Sequence, residues 1–522
     1  LLRLLLPLLF LLLWLAAPAA AADPAPPLHR LSISFAIDDQ LLRGISQIDL
    51  PADTGTTVLL GDLDIDQIQL NDQPLSLPPE AGQELTIDPM GTPQQLTIHY
   101  RKKFPTEGWA DGLISPEGIA LTGLWHPLLD KRVLFELSAT IPDRFEAVAE
   151  AEEILRAEAP GGKRLLFRFP HPLSNLHFAA GPYVLEKVPF GQEQELYTYF
   201  FPEDKELADS YRSKTLGYLK RYQKAIGPFP YRRFSVVENR LPTGYAMPTF
   251  TLLGQMVVRL PFITETSLGH EVLHQWFGNA VEVAAGQGNW AEGLTTYLAD
   301  QAFAAEDEEG ADFRKNQLIK YESYIHEGNA ASLQEFTGVS GHQEVREEDR
   351  RAIGYAKASM VFHMLKRRLG EEAFQQGLQD FYQRRQHQAA SWQDLQESFS
   401  RQTEQDLDPF FEQWLTRSTI PSLAVRKLRT DTEAGRMVLA FELVQNSETP
   451  YDLKVPVVVD TGEGQTRHLI HTAEKAREVK LPLEALPREL VLDPEYDLMR
   501  HLTQAELPPV WSRFEGAPKK LA

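Results

Sequence analysis

Cysteine is absent from the 522 residues of this chain, and that absence removes several kinds of chemistry. Without it there is no disulfide bond, no thiolate metal ligand and no cysteine nucleophile, so any metal must be held by histidine and carboxylate side chains. Positive charge is also scarce, because 52 lysines and arginines face 73 aspartates and glutamates, for a net charge of −21. That balance argues against a nucleic acid partner and is compatible with small or cationic substrates.

One long apolar run occurs at the N-terminus, where residues 1–22 combine Arg3, an apolar stretch over 4–15 and an alanine-rich end. This pattern is typical of a secretory signal peptide. The alternative is an uncleaved membrane anchor, but Pro7 and Pro18 and the short run disfavour a stable span of about 20 residues. We therefore expect a secreted or periplasmic protein with no stable membrane insertion once the signal peptide is cleaved.

The length of the chain predicts two to four domains. Alternating apolar residues and recurrent turn clusters predict an antiparallel β-sandwich or saddle over residues 28–200. Helical periodicity dominates residues 201–418, and alternation returns over residues 421–504. The expected fold is therefore multidomain α+β, with an N-terminal antiparallel β domain, a mostly helical central domain and a small C-terminal β-sandwich.

The motif with the clearest chemistry begins at His270 and reads H-E-V-L-H-Q-W-F-G-N. Residues four apart lie on the same face of a helix, so His270 and His274 can direct two imidazole nitrogens at one point. Glu271 lies about 100° further round the helix, where it can act as a general base on a water molecule beside the metal. A catalytic zinc needs a third protein ligand, and Glu292, in the segment W-A-E-G, is the natural one.

A chance H-E-x-x-H in a chain of this composition has a likelihood on the order of a few per cent. The apolar residues around the motif would bury the helix, and without a metal the buried histidines and glutamate would lack polar partners. One zinc ion per chain is therefore predicted, on His270, His274 and Glu292.

With these residues the chain resembles the gluzincin aminopeptidases, the family of aminopeptidase N and the leukotriene hydrolase. The segments that begin at His270 and Trp290 are similar to the family's zinc helix and third-ligand segment, with one residue fewer between the second histidine and the glutamate. Residues 353–360 are similar to the family's Tyr-x-Lys-Gly segment, although alanine stands at the glycine position. The resemblance implies a thermolysin-like catalytic domain over residues 201–418, in which Tyr355 donates a hydrogen bond to the oxyanion; on sequence alone Tyr355 could also be a core aromatic.

The family's substrate strand, Gly-x-Met-Glu-Asn, is matched only in part. The corresponding stretch reads G-Y-A-M-P-T, so Gly244, Ala246 and Met247 are candidate substrate-binding residues. Pro248 stands where the family has the glutamate that pairs with the α-ammonium of the substrate, and proline offers neither a carboxylate nor a backbone donor. Glu238, on the preceding strand, could replace that charge or could be a structural carboxylate.

The leading interpretation is a secreted, aminopeptidase-like zinc metallopeptidase that acts on peptides, with Glu271 and Tyr355 as catalytic residues. Two alternatives stay open. One is a zinc peptidase or related hydrolase that needs no free N-terminus. The other is a catalytically silent binding or scaffold protein of the same fold, although a structural zinc site would need neither a general base nor an open coordination position.

Overall fold

The computed structural model describes residues 26–76, 84–105, 112–242, 244–338, 346–433, 435–509 and 511–516. The predicted signal peptide lies outside these ranges. The described chain has an N-terminal β-rich part, a mostly helical central part and a C-terminal β part, which confirms the predicted fold class. Among the described residues, the helices are too short or too polar to cross a membrane.

The N-terminal part consists of strands in which buried and exposed side chains alternate, as the sequence pattern predicts. Its strands are β1 (Leu28–Ala36), β2 (Leu41–Leu50), β3 (Thr56–Leu59), β4 (Asp64–Leu70), β5 (Gln73–Pro74), β6 (Glu84–Ile87), β7 (Gln94–Lys103), β8 (Gly112–Ser115), β9 (Gly118–Leu121), β10 (Leu128–Leu129), β11 (Leu134–Ile141), β12 (Glu146–Ala149), β13 (Glu153–Ala159), β14 (Gly162–Arg168) and β15 (Phe178–Gly181). The largest sheet has the order β13-β14-β11-β1-β2-β7-β4-β5, and two smaller sheets have the orders β10-β3-β6 and β12-β15-β9-β8. β1 and β11 run parallel, so the large sheet is mixed rather than purely antiparallel.

The central part begins earlier than the predicted boundary at residue 200. Strands β16 (Val184–Pro189) and β17 (Glu195–Phe200) join β18 (Arg233–Asn239), β19 (Gly244–Met247) and β20 (Phe250–Gly254) in one sheet, of order β16-β17-β18-β20-β19. β17 and β18 are parallel, and the connection between them contains helix α1 (Ala208–Ala225), as a parallel crossover requires. The sequence pattern could not show which sheet these strands join. β19 forms one edge of the sheet, and β16 forms the other.

Helices follow this sheet, with bounds close to those that the apolar periodicity and turn residues predict. They are α2 (Gln255–Val258), α3 (Ser267–Leu273), α4 (Ala291–Thr295), α5 (Ala302–Glu306), α6 (Gly310–Tyr324), α7 (Glu347–Arg351), α8 (Ala358–Leu369), α9 (Glu371–Arg385), α10 (Trp392–Ser400) and α11 (Asp408–Thr416). α8 ends at Gly370, which adopts a φ of 87°. α10 begins with a capping box between Ser391 and Asp394. The strands β21 (Phe277–Gly278), β22 (Val281–Val283) and β23 (Gln388–Ala390) form a small sheet. β21 and β22 follow α3 in the chain and β23 lies between α9 and α10, so the sheet connects α3 to the α9–α10 segment.

The C-terminal part packs two three-stranded sheets, as the returning alternation predicts. Its strands are β24 (Leu423–Glu433), β25 (Arg436–Gln445), β26 (Leu453–Asp460), β27 (Gln465–Thr472), β28 (Ala476–Leu483) and β29 (Glu489–Leu492), in the orders β24-β25-β28 and β27-β26-β29. Phe441 and Val457 are fully buried in its core. The buried Asp497 accepts a hydrogen bond from His363 of α8 at 2.8 Å, which ties this part to the central helices. Helix α12 (Trp511–Gly516) follows and packs on α6.

Candidate active site

Two histidines one helical turn apart form the centre of the site. α3 carries His270 and ends at Leu273, so that His274 is the residue that caps it. The Nε2 atoms of the two histidines lie 3.2 Å apart, and their rings are inclined by 77°. The helix is held by buried apolar residues on its inner face, including Leu268 and Val272, which leaves the two imidazoles free to face the cleft.

Glu292, from α4, completes a triangle with these two nitrogens. Its Oε2 lies 3.6 Å from His270 Nε2 and 3.3 Å from His274 Nε2. Ligand atoms bound at about 2.0–2.1 Å to a tetrahedral zinc ion stand roughly 3.3–3.4 Å from one another. The three atoms therefore already have the spacing of a zinc site, and the shorter connection between His274 and Glu292 does not disturb it.

The second nitrogen of each imidazole has an oxygen acceptor. His270 Nδ1 faces Asp300 Oδ2 at 3.1 Å, and His274 Nδ1 faces the carbonyl oxygen of Phe277 at 2.9 Å. In the neutral tautomer that ligates a metal, each Nδ1 would donate its hydrogen to that oxygen and each Nε2 would be unprotonated. Two lone pairs at that separation repel unless a cation lies between them, and a pair of imidazoles with one carboxylate is a donor set that zinc prefers.

The charges around the triangle are arranged to hold a cation. Burial would lower the pKa of His270, but Asp300 and Glu292 outweigh it and raise the pKa well above its usual value. Burial would raise the pKa of Glu292, but His274 and His270 outweigh it and hold that pKa well below its usual range. For Glu271 burial dominates and raises the pKa, with both histidines opposing the shift. Glu292 is therefore anionic, as a metal ligand would need to be, and the raised pKa of Glu271 would suit a group that accepts a proton.

Two glycines allow the elements of the site to approach one another closely. Gly278 has a φ of 115°, and a side chain there would bring its Cβ to 3.1 Å from His274 Nδ1. At Gly293, a Cβ would lie 2.2 Å from the Cβ of Ala358 at the start of α8. Only glycine permits these two contacts without displacement. The second contact brings the helix of Glu292 against the segment that carries Tyr355.

Tyr355 lies beside His270. Its ring is nearly parallel to that of His270, with centroids 6.5 Å apart. Burial and the negative charge of Glu292 both raise the pKa of Tyr355, so its hydroxyl stays protonated and can donate a hydrogen bond. Tyr355 sits in a π-helical turn over Ala352–Lys357, and a second such turn over Thr296–Gln301 carries Asp300. Such widened turns often occur at functional sites, and both of these aim a side chain at the triangle.

The edge strand β19 forms the wall beside Glu271. An ideal Cβ on Gly244 would lie 3.8 Å from Glu271 Oε1, so the base faces this strand directly. Gly244 and Ala246 line the cleft, whereas Met247 is buried in the core beneath it. Gln275, from the zinc motif, fixes the end of the strand: it donates to the carbonyl of Met247 and accepts the N–H of Thr249, both at 2.9 Å.

The structure does not bring Glu238 to this cleft. Glu238 is fully buried on β18, and its Oε2 accepts the backbone N–H of Phe201 at 2.7 Å. Burial, with a contribution from nearby Asp204, raises the pKa of Glu238 to about 8. Pro248 lines the cleft at the position where the family has its amine-binding glutamate. Glu238 is thus placed as a structural carboxylate and is not available to a bound substrate.

Two features of the cleft had not been identified from sequence. Asp300 follows Glu292 by eight residues, a helical spacing that could have suggested it, but no motif marks it. The N-terminal part contributes His177, whose Nδ1 lies 2.5 Å from Glu150 and whose side chain is 23% exposed. Both residues line the cleft, which has a volume of about 1100 Å³. Loops of the N-terminal domain therefore form one wall of the site, as expected for this domain arrangement.

Part of this chain is similar in sequence to known proteins. Residues 263–414 match the sequence model of the peptidase family M1 domain. Aminopeptidase N of Lactococcus lactis subsp. lactis is 31% identical over 169 residues, 30% of this chain and 18% of that protein. Leucyl aminopeptidase of Saccharolobus solfataricus is 24% identical over 218 residues, 39% of this chain and 26% of that protein. The chain thus spans far less than two thirds of either relative.

A solved structure extends the likeness of the fold beyond the M1 domain. The crystal structure of Legionella pneumophila aminopeptidase A in complex with aspartic acid superimposes with a TM-score of 0.72 at 15% sequence identity. The likeness covers 94% of this chain and 61% of that one. At this identity the comparison shows the fold alone, and it includes the three-part order described above.

Proposed function

We propose that this chain, whose residues 263–414 match the peptidase family M1 domain, is a zinc-dependent, aminopeptidase-like metallopeptidase. The observation that carries the proposal is the triangle of His270, His274 and Glu292, whose spacing suits zinc, with Glu271 and Tyr355 lining the same cleft. A binding protein with a structural zinc would need neither of those two side chains.

The residues of the chain divide the reaction between them. Zinc, when bound by the three ligands, would polarise the scissile carbonyl and lower the pKa of a water molecule. Glu271 accepts the proton of the attacking water and passes it to the leaving amine. Its carboxylate faces β19, the strand along which the substrate would lie, and is therefore close to the scissile bond. Tyr355 donates a hydrogen bond to the oxyanion of the tetrahedral intermediate. β19 is an edge strand, so an extended peptide could lie along its outer side.

Metal removal tests this proposal directly. The purified protein is assayed on aminoacyl amides and short peptides, dialysed against a chelator, and assayed again before and after zinc is added back. We expect hydrolysis to be lost with the metal and restored by about one equivalent of zinc per chain. Stoichiometric zinc with no hydrolysis of any peptide would favour the catalytically silent alternative.

A second candidate is a peptidase that does not need a free N-terminus. The observation in its favour is Pro248, which faces the cleft without a carboxylate, while Glu238 is buried elsewhere. Comparing an aminoacyl amide with its N-acetylated form separates the two. For an aminopeptidase, kcat/KM should be lower for the acetylated substrate by about a hundredfold or more, because acetylation removes the α-ammonium charge and leaves the buried protein group that pairs with it without a partner. Equal kcat/KM values would favour the second candidate.

We also propose that the protein is exported to the periplasm or the exterior and acts there on peptides. The support is the sequence of residues 1–22, with one positive charge, an apolar stretch and an alanine-rich end. Fusing this segment to a reporter enzyme in a bacterial host should carry the reporter out of the cytoplasm. Mass spectrometry of the exported product should place its N-terminus near Asp23, and a reporter that stays in the cytoplasm would contradict the proposal.

A further inference from the structure

A groove leads away from the zinc ligands between two helical walls. On one wall, Asp300 and Ala304 line it from consecutive turns after α4. On the other wall, Phe313, Gln317 and Lys320 of α6 line it, at spacings of four and three residues that place them on one helical face. The groove is therefore part of the same cleft that contains the candidate zinc ligands.

Lys320 brings an unneutralised positive charge into this groove. Within the parts of the chain that the structure describes, Lys320 has no carboxylate within ion-pair distance. Desolvation lowers the pKa of Lys320, Asp300 opposes that shift, and Arg351 adds to it. Asp300, the acidic group that acts on Lys320, is already committed to His270 at 3.1 Å. The cation is thus left available to a ligand.

Arg351 adds a second cation at the same end of the groove. Its guanidinium carbon lies 5.3 Å from the centre of the Tyr355 ring, and it lines the cleft. Its partner Glu347, at 2.7 Å, is more than half exposed, and such surface pairs are weak enough to yield to a ligand. The positive charge of Arg351 disfavours the charged form of Lys320, so an anion bound beside both side chains would stabilise the charge of Lys320.

We infer that Lys320 and Arg351 form a subsite that binds a carboxylate of the peptide substrate, and this inference rests on the proposed peptidase function. The Tyr355 ring lies 6.5 Å from that of His270, and the guanidinium carbon of Arg351 lies 5.3 Å from the centre of the Tyr355 ring. The guanidinium is therefore no farther from His270 than the length of roughly three extended residues. The preferred substrates are therefore short peptides with a carboxylate within about three residues of the scissile bond, either the C-terminus or an acidic side chain.

Three tripeptide probes test the subsite: Ala-Ala-Ala, its C-terminal amide, and Ala-Asp-Ala amide. Binding is measured by calorimetry on the zinc-loaded Glu271→Gln protein, which removes turnover, and kcat/KM on the wild type. We expect the free acid to bind about tenfold or more tightly than the amide, because charge-assisted hydrogen bonds to a carboxylate are lost with amidation. If the aspartyl amide binds like the free acid, the subsite accepts a side-chain carboxylate; if it binds like the plain amide, the C-terminus is the ligand.

Adding Lys320→Met should reduce the preference for the acid to within about threefold, whereas Lys320→Arg should keep it. Lys220→Met is the matched control, because Lys220 is an exposed cation on α1 outside the cleft lining, and it should keep the full preference. Zinc content and circular dichroism confirm that each variant is folded.

Equal binding of acid and amide, or an equal loss for all three probes in Lys320→Met, would overturn the subsite. Failure of the wild type to hydrolyse any peptide with zinc bound would instead refute the proposed function, while the binding comparison would still report on the subsite.

Discussion

Asp300 holds the imidazole of His270 in the orientation that a metal ligand needs, with its Oδ2 3.1 Å from the ring Nδ1. The carboxylate lies eight residues after Glu292, in the π-helical turn that follows α4. The side chain that completes the triangle and the side chain that orients its first histidine therefore belong to one continuous helical segment. Any change in the register of that segment would move both groups together.

Removal of this orienting carboxylate should weaken zinc binding. We expect Asp300→Ala to lower zinc affinity by about 10- to 100-fold, since the ring loses its orienting acceptor and part of its basicity. Competition with a chromophoric chelator measures the affinity. Asp307→Ala, which removes an exposed carboxylate from the same wall of the cleft, is the control and should bind zinc as the wild type does. Equal affinities in both variants would remove Asp300 from the metal site.

The proposed base can be separated from the proposed ligands. Glu271→Gln should keep its zinc and lose about 10²- to 10⁴-fold in kcat, because the amide cannot accept the proton of water. Metal analysis and peptide hydrolysis on the same preparation give both quantities. Glu265→Gln neutralises another carboxylate of the cleft, one paired with Lys214, and should stay active. Normal turnover in Glu271→Gln would mean that another group accepts the proton.

The hydroxyl of Tyr355 should act mainly in the transition state. We expect Tyr355→Phe to lower kcat by about 10²- to 10³-fold with little change in KM, because the lost hydrogen bond stabilises the oxyanion rather than the bound peptide. Steady-state kinetics on a short peptide measure both parameters. Tyr324→Phe removes a hydroxyl that contacts Glu515 outside the cleft and serves as the control. A rise in KM with an unchanged kcat would assign Tyr355 to substrate binding only.

The buried carboxylate of Glu238 should appear in the pH dependence of stability. Its folded pKa, about 8, lies above the unfolded value of 4.5, so its stabilising contribution is present below pH 4.5 and is lost as the pH rises through 8. Glu238→Gln should therefore be more stable than the wild type at pH 9, by about 1–3 kcal/mol, and close to it at pH 5. Denaturant unfolding of the zinc-loaded proteins at both pH values checks this. A large rise in KM for free-amine substrates in this variant would restore Glu238 as an amine anchor.

The position of a side chain could be predicted from the sequence where contacts between neighbouring residues determine it, and could not be predicted where contacts between distant segments do. His270, Glu271 and His274 lie within one turn of helix, so their spacing alone fixed their relative directions. Glu238 could not be placed in this way, because every residue of β18 is buried and a strand buried on both faces gives no alternation to show where its side chains point. The sheet that β16 and β17 join could not be predicted either, because it depends on a pairing between distant segments: β16 pairs with β17, and β17 pairs with β18.

The sequence by itself indicated the proposed chemistry: the candidate zinc helix, base, third ligand and tyrosine are each marked by local spacing, and local spacing survives folding. Only the tertiary structure decided how those segments meet. At Gly293, where a side-chain Cβ would lie 2.2 Å from that of Ala358, the absence of a side chain lets the helix of Glu292 pack against the segment of Tyr355, and burial turns Glu238 away from the cleft. It also decided that Lys320 and Arg351, which are 31 positions apart in the sequence, face one groove beyond the reacting centre. Contacts between distant segments depend on packing, and packing has no period that a sequence pattern can reveal.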